Sequence, residues 1–178
     1  VSSPTWANHA NVFQACSLEI RTYPYYDPES HMLRFDEMLD VLGNDTQPGD
    51  ILLLHGCCHN LTGVDLTMDQ WEQLIGVMQS RNLLPLVDLA YQGFGRGLEE
   101  DVTGVRRMCS RMDELLICTS YSKNFGLYND RVGALTVIGK SSRDAVRSFS
   151  HVKKMIRSNS SNPPAHGGLI VTRILEKE

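Results

Sequence analysis

The sequence has no long apolar run, no surplus of basic charge and no regular cysteine pattern. No stretch approaches the roughly 20 apolar residues that a bilayer-spanning helix needs. Lys and Arg number 17 against 21 Asp and Glu, for a net charge of −4. No basic stripe therefore marks a nucleic-acid or membrane surface. The five cysteines, Cys16, Cys57, Cys58, Cys109 and Cys118, are odd in number and unevenly spaced. That argues against a disulfide framework and for reduced thiols in the cytoplasm. Asn-X-Ser/Thr triplets at Asn44, Asn60 and Asn159 then read as chance matches. The opening VSSPTWANHA has no signal-peptide pattern. What is present is 178 residues, 42% of them hydrophobic, the size of one domain with a good core. The chain begins with Val, and its last segment, ILEKE, stops inside a helix-like pattern, which reads as a piece of a longer protein.

Hydrophobic periodicity alternates strands with helices almost throughout. Val1–Pro4 is extended, and Thr5 is expected to cap a helix over Trp6–Cys16 with Trp6, Ala10, Phe13 and Cys16 on one face. A short strand over Leu18–Tyr23, a loop over Pro24–His31 and a helix over Leu33–Leu42 follow. Ile51–His55 is a continuous apolar strand of the kind buried on both faces. Thr67 with Gln70 makes a capping box before Trp71, Leu74, Ile75 and Met78 at helical spacing. Next come a strand over Leu83–Val87 ending in Asp88, a helix over Asp101–Arg111, and strands at Leu115–Cys118 and Ala134–Ile138. A helix from Ser142 has Ala145, Phe149, Val152 and Ile156 as its expected buried face, and Gly168–Glu178 resumes as helix after Ser160–Pro164. This pattern predicts an α/β layered fold with a mostly parallel sheet flanked by helices.

The chemistry concentrates in Thr119–Gly133, TSYSKNFGLYNDRVG, where a buried strand spills into a loop. Loops at the carboxyl ends of strands are where open α/β sheets bind ligands. Lys123 has hydroxyls at Ser120 and Ser122 on one side and Phe125-Gly126-Leu127 on the other. A lysine against an apolar wall loses hydration of its ammonium, and the free amine is a nucleophile toward aldehydes. Ser120, Ser122 and Arg131 add donors for a phosphate dianion. Lysine with a phosphate grip suggests pyridoxal phosphate held as a Schiff base.

Asp88, at the end of a strand, is either a partner for a pyridine nitrogen or a helix N-cap. Tyr91 is either a donor to the cofactor's phenolate oxygen or a core tyrosine. Arg157 closes the basic stretch Lys153–Arg157 and is either a carboxylate receptor or a cation complementing a helix dipole. His55-Gly56-Cys57-Cys58-His59 holds four nitrogen and sulfur ligands in five residues. Successive strand side chains alternate, so these four cannot all converge, and no metal centre is expected. A cysteine–histidine nucleophile there lacks an orienting third group. Ser120-Tyr121-Ser122-Lys123 fits a serine-X-X-lysine acyl-transfer pattern, but its companion motifs are absent.

The lysine loop, together with VSSPTWANH (Val1–His9), HGCCHNLTG (His55–Gly63), DLAYQGF (Asp88–Phe94) and SNPPAHG (Ser161–Gly167), resembles the class I aspartate and aromatic aminotransferases across essentially the whole chain. The resemblance implies a partial pyridoxal 5'-phosphate-binding large domain over residues 1–178, without the N-terminal arm and the C-terminal small domain. It implies that Lys123 carries the cofactor and shuttles the proton. Asp88 pairs with the pyridine nitrogen and is supported by His9, Tyr91 and Asn60 hold the phenolate oxygen, and Trp6 stacks on the ring. Ser120, Ser122 and Arg131 grip the phosphate. Trp6, Asn60 and Arg157 face the substrate, with Arg157 reaching into a neighbouring protomer and Ser161 crossing toward the partner's phosphate. Amino acid and 2-oxo acid substrates and a homodimer with shared sites follow from the same resemblance.

Two positions depart from the family pattern. Leu61 replaces a proline whose preceding bond is typically cis, so the loop carrying Asn60 is expected to be shifted or strained. Ser160 replaces an aromatic residue. The missing segments include the glycine-containing phosphate loop and the arginine that grips the α-carboxylate, so the chain alone is expected to be inactive. Against transamination stand a truncated, non-enzymatic remnant that keeps the fold and a pyridoxal phosphate enzyme of altered outcome such as a racemase.

Overall fold

The computed structural model describes residues 1–177. Its elements run β1 (Ser2–Ser3), α1 (Asn8–Ala15), β2 (Tyr23–Pro24), β3 (Tyr26–Asp27), β4 (Met32–Leu33), α2 (Phe35–Asn44), β5 (Ile51–His55), α3 (Met68–Arg81), β6 (Leu84–Leu89), α4 (Thr103–Cys109), β7 (Leu115–Ser120), β8 (Gly133–Ile138), α5 (Ser142–Ser160) and α6 (Ala165–Leu175). β5, β6, β7 and β8 lie side by side in that order. The first three are parallel, and β8 runs antiparallel to β7. The fold is α/β with a mostly parallel sheet, as the alternation of strands and helices implied.

The core sits on one face of that sheet. Strand side chains alternate, so Leu52 and Leu54 of β5, Val87 and Leu89 of β6, and Leu115 and Ile117 of β7 point together into one buried cluster. Phe35, Met38 and Leu42 of α2, Trp71, Leu74, Ile75 and Met78 of α3, and Val105 and Met108 of α4 meet them there. α3 is held at both ends. Thr67 Oγ1 accepts from Gln70 N while the Gln70 side chain accepts from Thr67 N, and Asn82 closes the other end in the left-handed region. α4 approaches α3 at Gly104, where an added Cβ would fall 2.2 Å from the Trp71 indole nitrogen. Only glycine allows that contact.

The opposite face of the sheet is less covered. Burial alternates along β6 and fails along most of β8, so the expectation of strands buried on both faces holds only for the middle of β5. α5 follows its capping residue Ser141, but its expected buried face is not buried. Phe149 is 63% and Ile156 42% exposed, with Ala145 and Val152 half-buried. The apolar stripe is real, and no described element covers it.

Several boundaries differ from expectation for local reasons. α1 starts at Asn8 without a side-chain cap, because the Thr5 hydroxyl bonds the buried His9 ring instead. Its buried residue is His9, while Trp6 and Cys16 are exposed. Leu18–Thr22 forms no strand; only Tyr23–Pro24 finds a partner, in β1. A cavity of about 680 Å³ lies between that segment and the start of β5, lined by Val1, Ile20, Tyr23 and Ile51 among others, away from the candidate site. The expected loop over Pro24–His31 contains β3, which pairs with β4 in a small hairpin whose turn is tied by Asp27. The helix expected from Leu33 begins at Phe35, and the one expected from Asp101 splits into a 3-10 turn, Glu100–Val102, and α4. α6 begins at Ala165, directly after Pro163-Pro164 rather than at Gly168. Glu178 lies outside the described residues.

Candidate active site

The parallel strands bring their carboxyl ends to one edge, and most of the candidate residues gather there. Asp88 lies within β6, in register with His55 of β5 and Cys118 of β7. It is a strand residue and not a helix N-cap. Because Val87 and Leu89 face the core, Asp88 points to the other face, toward α1. His9 Nε2 lies 3.0 Å from Asp88 Oδ2, and His9 Nδ1 lies 2.8 Å from Thr5 Oγ1. With Asp88 ionised, Nε2 donates and Thr5 fixes the other side of the ring. Asp88 keeps 21% of its side chain exposed, and its Oδ1 has no hydrogen-bond partner among the described residues.

Two more histidines extend this cluster. His55 and His9 rings are 5.3 Å apart, and His55 and His59 rings 4.1 Å. His59 stacks on Tyr25 at 4.0 Å and lies between two hydroxyls, Ser2 Oγ at 3.0 Å and Thr62 Oγ1 at 2.9 Å. Burial pushes the His55 pKa down to about 4, with Asp88 opposing and His9 reinforcing that shift. Burial, together with His55, pushes His59 down to about 3. Both imidazoles are neutral near pH 7. His55 Nε2 is buried without a hydrogen-bond partner among the described residues.

Beyond β6, Tyr91 is half-buried, and its hydroxyl lies 3.5 Å from Asn60 Nδ2. Lys123 Nζ sits 5.0 Å above the Tyr91 ring, a cation–π arrangement. Lys123 lies in the loop after β7, in no ion pair among the described residues. Gly126 N closes a turn onto Lys123 O at 3.1 Å, and the Tyr121 and Phe125 rings meet edge to face at 5.4 Å. Ser122 is buried, and its backbone N–H donates to Ser120 Oγ at 3.2 Å.

Asp88, Tyr91, Asn60 and Lys123 thus form one constellation, with His9 behind it and Ser120 and Ser122 beside it. Three further expected members each have another partner in the fold. Arg131 is exposed and donates to Tyr128 O at 2.7 Å. Trp6 is 42% exposed and meets His9 edge to face at 5.3 Å. Arg157 is exposed on α5 and donates to Ser161 Oγ.

Sequence reading missed the two carboxylates that shape the loops. Asp65 accepts from the backbone N–H of Cys58 at 2.7 Å and of His59 at 2.9 Å, which fixes the start of the Asn60 loop. The Asn60–Leu61 bond is not cis; Ser3–Pro4 is the cis bond among the described residues. Asp101, which unlike Asp65 is buried, accepts from Gly93 at 2.8 Å, Gly95 at 3.0 Å and Arg96 at 2.7 Å. Those bonds hold its carboxyl below the usual range, overcoming an opposing burial effect. An acid shortly after a glycine-rich loop was the available signal for Asp101, whereas Asp65 had none stronger than its place in a loop.

The family model for aminotransferase class I and II matches residues 1–178. The chain is 51% identical over 178 residues to an aspartate aminotransferase of Escherichia coli, covering 100% of this chain and 45% of that protein. It is 43% identical over 179 residues to the aromatic-amino-acid aminotransferase of the same organism, again covering 100% and 45%. The crystal structure of an aromatic-amino-acid aminotransferase from Burkholderia pseudomallei, covalently bound to pyridoxal phosphate, superimposes with a TM-score of 0.95 at 45% identity, covering 98% of this chain and 43% of that one. The chain spans about half the length of the curated relatives it matches.

Proposed function

The chain belongs to the aminotransferase class I and II family, and on that premise we propose that it is part of the cofactor-binding large domain of a pyridoxal 5'-phosphate-dependent aminotransferase. The substrates in this reading are aspartate or an aromatic amino acid and a 2-oxo acid such as 2-oxoglutarate. The observation that carries it is the gathering of Asp88, Tyr91, Asn60 and Lys123 at the carboxyl ends of β5, β6 and β7. The residues fit the cofactor: one carboxylate oxygen of Asp88 is engaged by His9, and Lys123 is in no ion pair among the described residues. When bound, pyridoxal phosphate supplies an aldehyde that condenses with amines and a protonated ring that accepts electron density.

The chain's own residues do the rest. Asp88 would hold a proton on a pyridine nitrogen, and His9, itself positioned by Thr5, keeps the Asp88 carboxylate aimed. The Tyr91 hydroxyl and the Asn60 amide offer donors to a phenolate oxygen. Lys123 Nζ takes the α-proton of an amino acid and returns it, a role that needs the amine in its neutral form. Ser120, Ser122 and Arg131 supply phosphate donors once Arg131 turns from Tyr128 O. Trp6 covers a ring face. Arg157 receives the side-chain carboxylate of a dicarboxylic substrate across a homodimer interface, with Ser161 beside it. The reading includes a cytoplasmic location, in keeping with five free cysteines; among the described residues no helix is long and apolar enough to cross a membrane.

The test is an absorbance titration of the chain with pyridoxal phosphate, with Lys123→Ala in parallel. A saturable visible band in the wild type that is absent from the variant is the expected outcome. Equal spectra for the two proteins would overturn the assignment of Lys123 and leave a fold without a working cofactor pocket.

A further inference from the structure

The loop after β5 sends its nitrogen and sulfur side chains in two directions. His55 and His59 turn toward His9 and Tyr25. Cys57 and Cys58 turn the other way and meet Asp101, from the 3-10 turn before α4. Strand alternation would separate two adjacent cysteines, but Cys58 has a φ of 48°, and that left-handed residue brings both thiols to one side. Cys57 Sγ, Cys58 Sγ and an Asp101 carboxylate oxygen all lie within 4.8 Å of one another.

We propose that Cys57, Cys58 and Asp101 form a site for a single soft divalent cation of the zinc group, Zn²⁺ or Cd²⁺. Tetrahedral bonds of about 2.3 Å to sulfur and about 2.1 Å to oxygen separate ligand atoms by roughly 3.5–3.8 Å. The trio closes on that geometry with side-chain adjustments of about 1 Å. Two thiolates select this class over Mg²⁺ or Ca²⁺, which take all-oxygen shells. On binding, two S–H bonds give way to two sulfur–metal bonds and two protons leave to solvent, with no change of oxidation state; water fills the fourth position.

The surroundings favour a cation. Asp65 holds the Cys58 and His59 amides, so a second carboxylate borders the thiols. Neither Asp65 nor Asp101 is in a salt bridge among the described residues. Cys57 and Asp101 are buried, while half-buried Cys58 gives access. Cys58 Sγ is also 3.9 Å from Tyr91 O, and Asp101 ties down the loop from Gly93 to Arg96. A bound cation would therefore brace the segment that carries Tyr91.

The probe is Cd²⁺ added to the reduced, chelator-stripped chain, read by thiolate-to-cadmium ultraviolet charge transfer and by alkylation mapped with mass spectrometry. One equivalent is expected to produce the band and to protect Cys57 and Cys58 at least tenfold, with Cys16, Cys109 and Cys118 labelled at their original rates. The band is expected to persist in a variant with Cys16, Cys109 and Cys118 all replaced by serine, and to vanish in Cys58→Ser. Protection spread over all five thiols, or no protection of Cys57 and Cys58 at one equivalent, would overturn the proposal without recourse to any variant.

Discussion

Acid should weaken this fold through His59 by an amount that can be worked from its surroundings. His59 is 2% exposed and stacks on Tyr25. Its neighbours from every packed element are Ser2 of β1, Thr62 of its own loop, Tyr25, and the imidazoles of His55 and His9, with Asp88 beyond them. Burial and His55 push its pKa from 6.5 to about 3. Between those values the unfolded chain binds a proton that the folded chain refuses, so stability falls as pH falls. At about 1.36 kcal/mol per pH unit for each such proton, the loss from pH 7 to pH 5 is about 1.9 kcal/mol, or about 1.5 kcal/mol after allowance for solvent at the cluster's edge. His55, pushed down to about 4, contributes in the same direction. The assay is urea unfolding at pH 7 and pH 5, with EDTA present so that the thiols stay metal-free, for the wild type and His59→Asn. Every other titrating group largely cancels in that comparison. The variant is expected to lose about 1.5 kcal/mol less than the wild type between the two pH values. Equal losses would refute the reasoning, because His59 would then be charged in the folded state or neutral in both.

Gly104→Ala drives a methyl group into the buried Trp71 ring, and should cost at least about 2 kcal/mol by denaturant unfolding. Asp65→Ala removes the acceptor shared by the Cys58 and His59 amides; hydrogen exchange at those two amides should quicken at least about tenfold, equivalent to about 1.4 kcal/mol of local stability.

How much of this was legible depended on how local the cause was. The capping box at Thr67 and the buried face Trp71, Leu74, Ile75 and Met78 were readable because propensity, cap and packing agree within one helix. α1 was misread because Thr5 is a good cap in isolation, yet the buried His9 ring, four residues away, holds its hydroxyl. The stripe on α5 was read correctly as apolar and wrongly as buried, since burial belongs to whatever packs on it and not to the helix. Leu18–Thr22 has strand character but no partner, and a strand exists only as half of a ladder. In the site, Asp88 and Lys123 were found by their place after apolar runs. Asp65 and Asp101 were missed because a carboxylate that collects backbone amides looks like any surface acid until the loop is folded around it.

The same distinction explains why the HGCCH run misled in one respect. Alternation along a strand rightly forbids four ligands from converging, and the two histidines do separate from the two cysteines. Alternation requires extended backbone, however, and β5 ends at His55. Past that point Asp65 and the left-handed Cys58 set the directions, and they divide one short motif between two environments. The histidine half is neutral, apolar-stacked and tied to Asp88 through His9. The cysteine half is bordered by two carboxylates and tied to the Tyr91 loop through Asp101. Both halves thus reach the constellation around Lys123, from opposite sides of the sheet end. A change in either one would therefore register at Asp88 or at Tyr91.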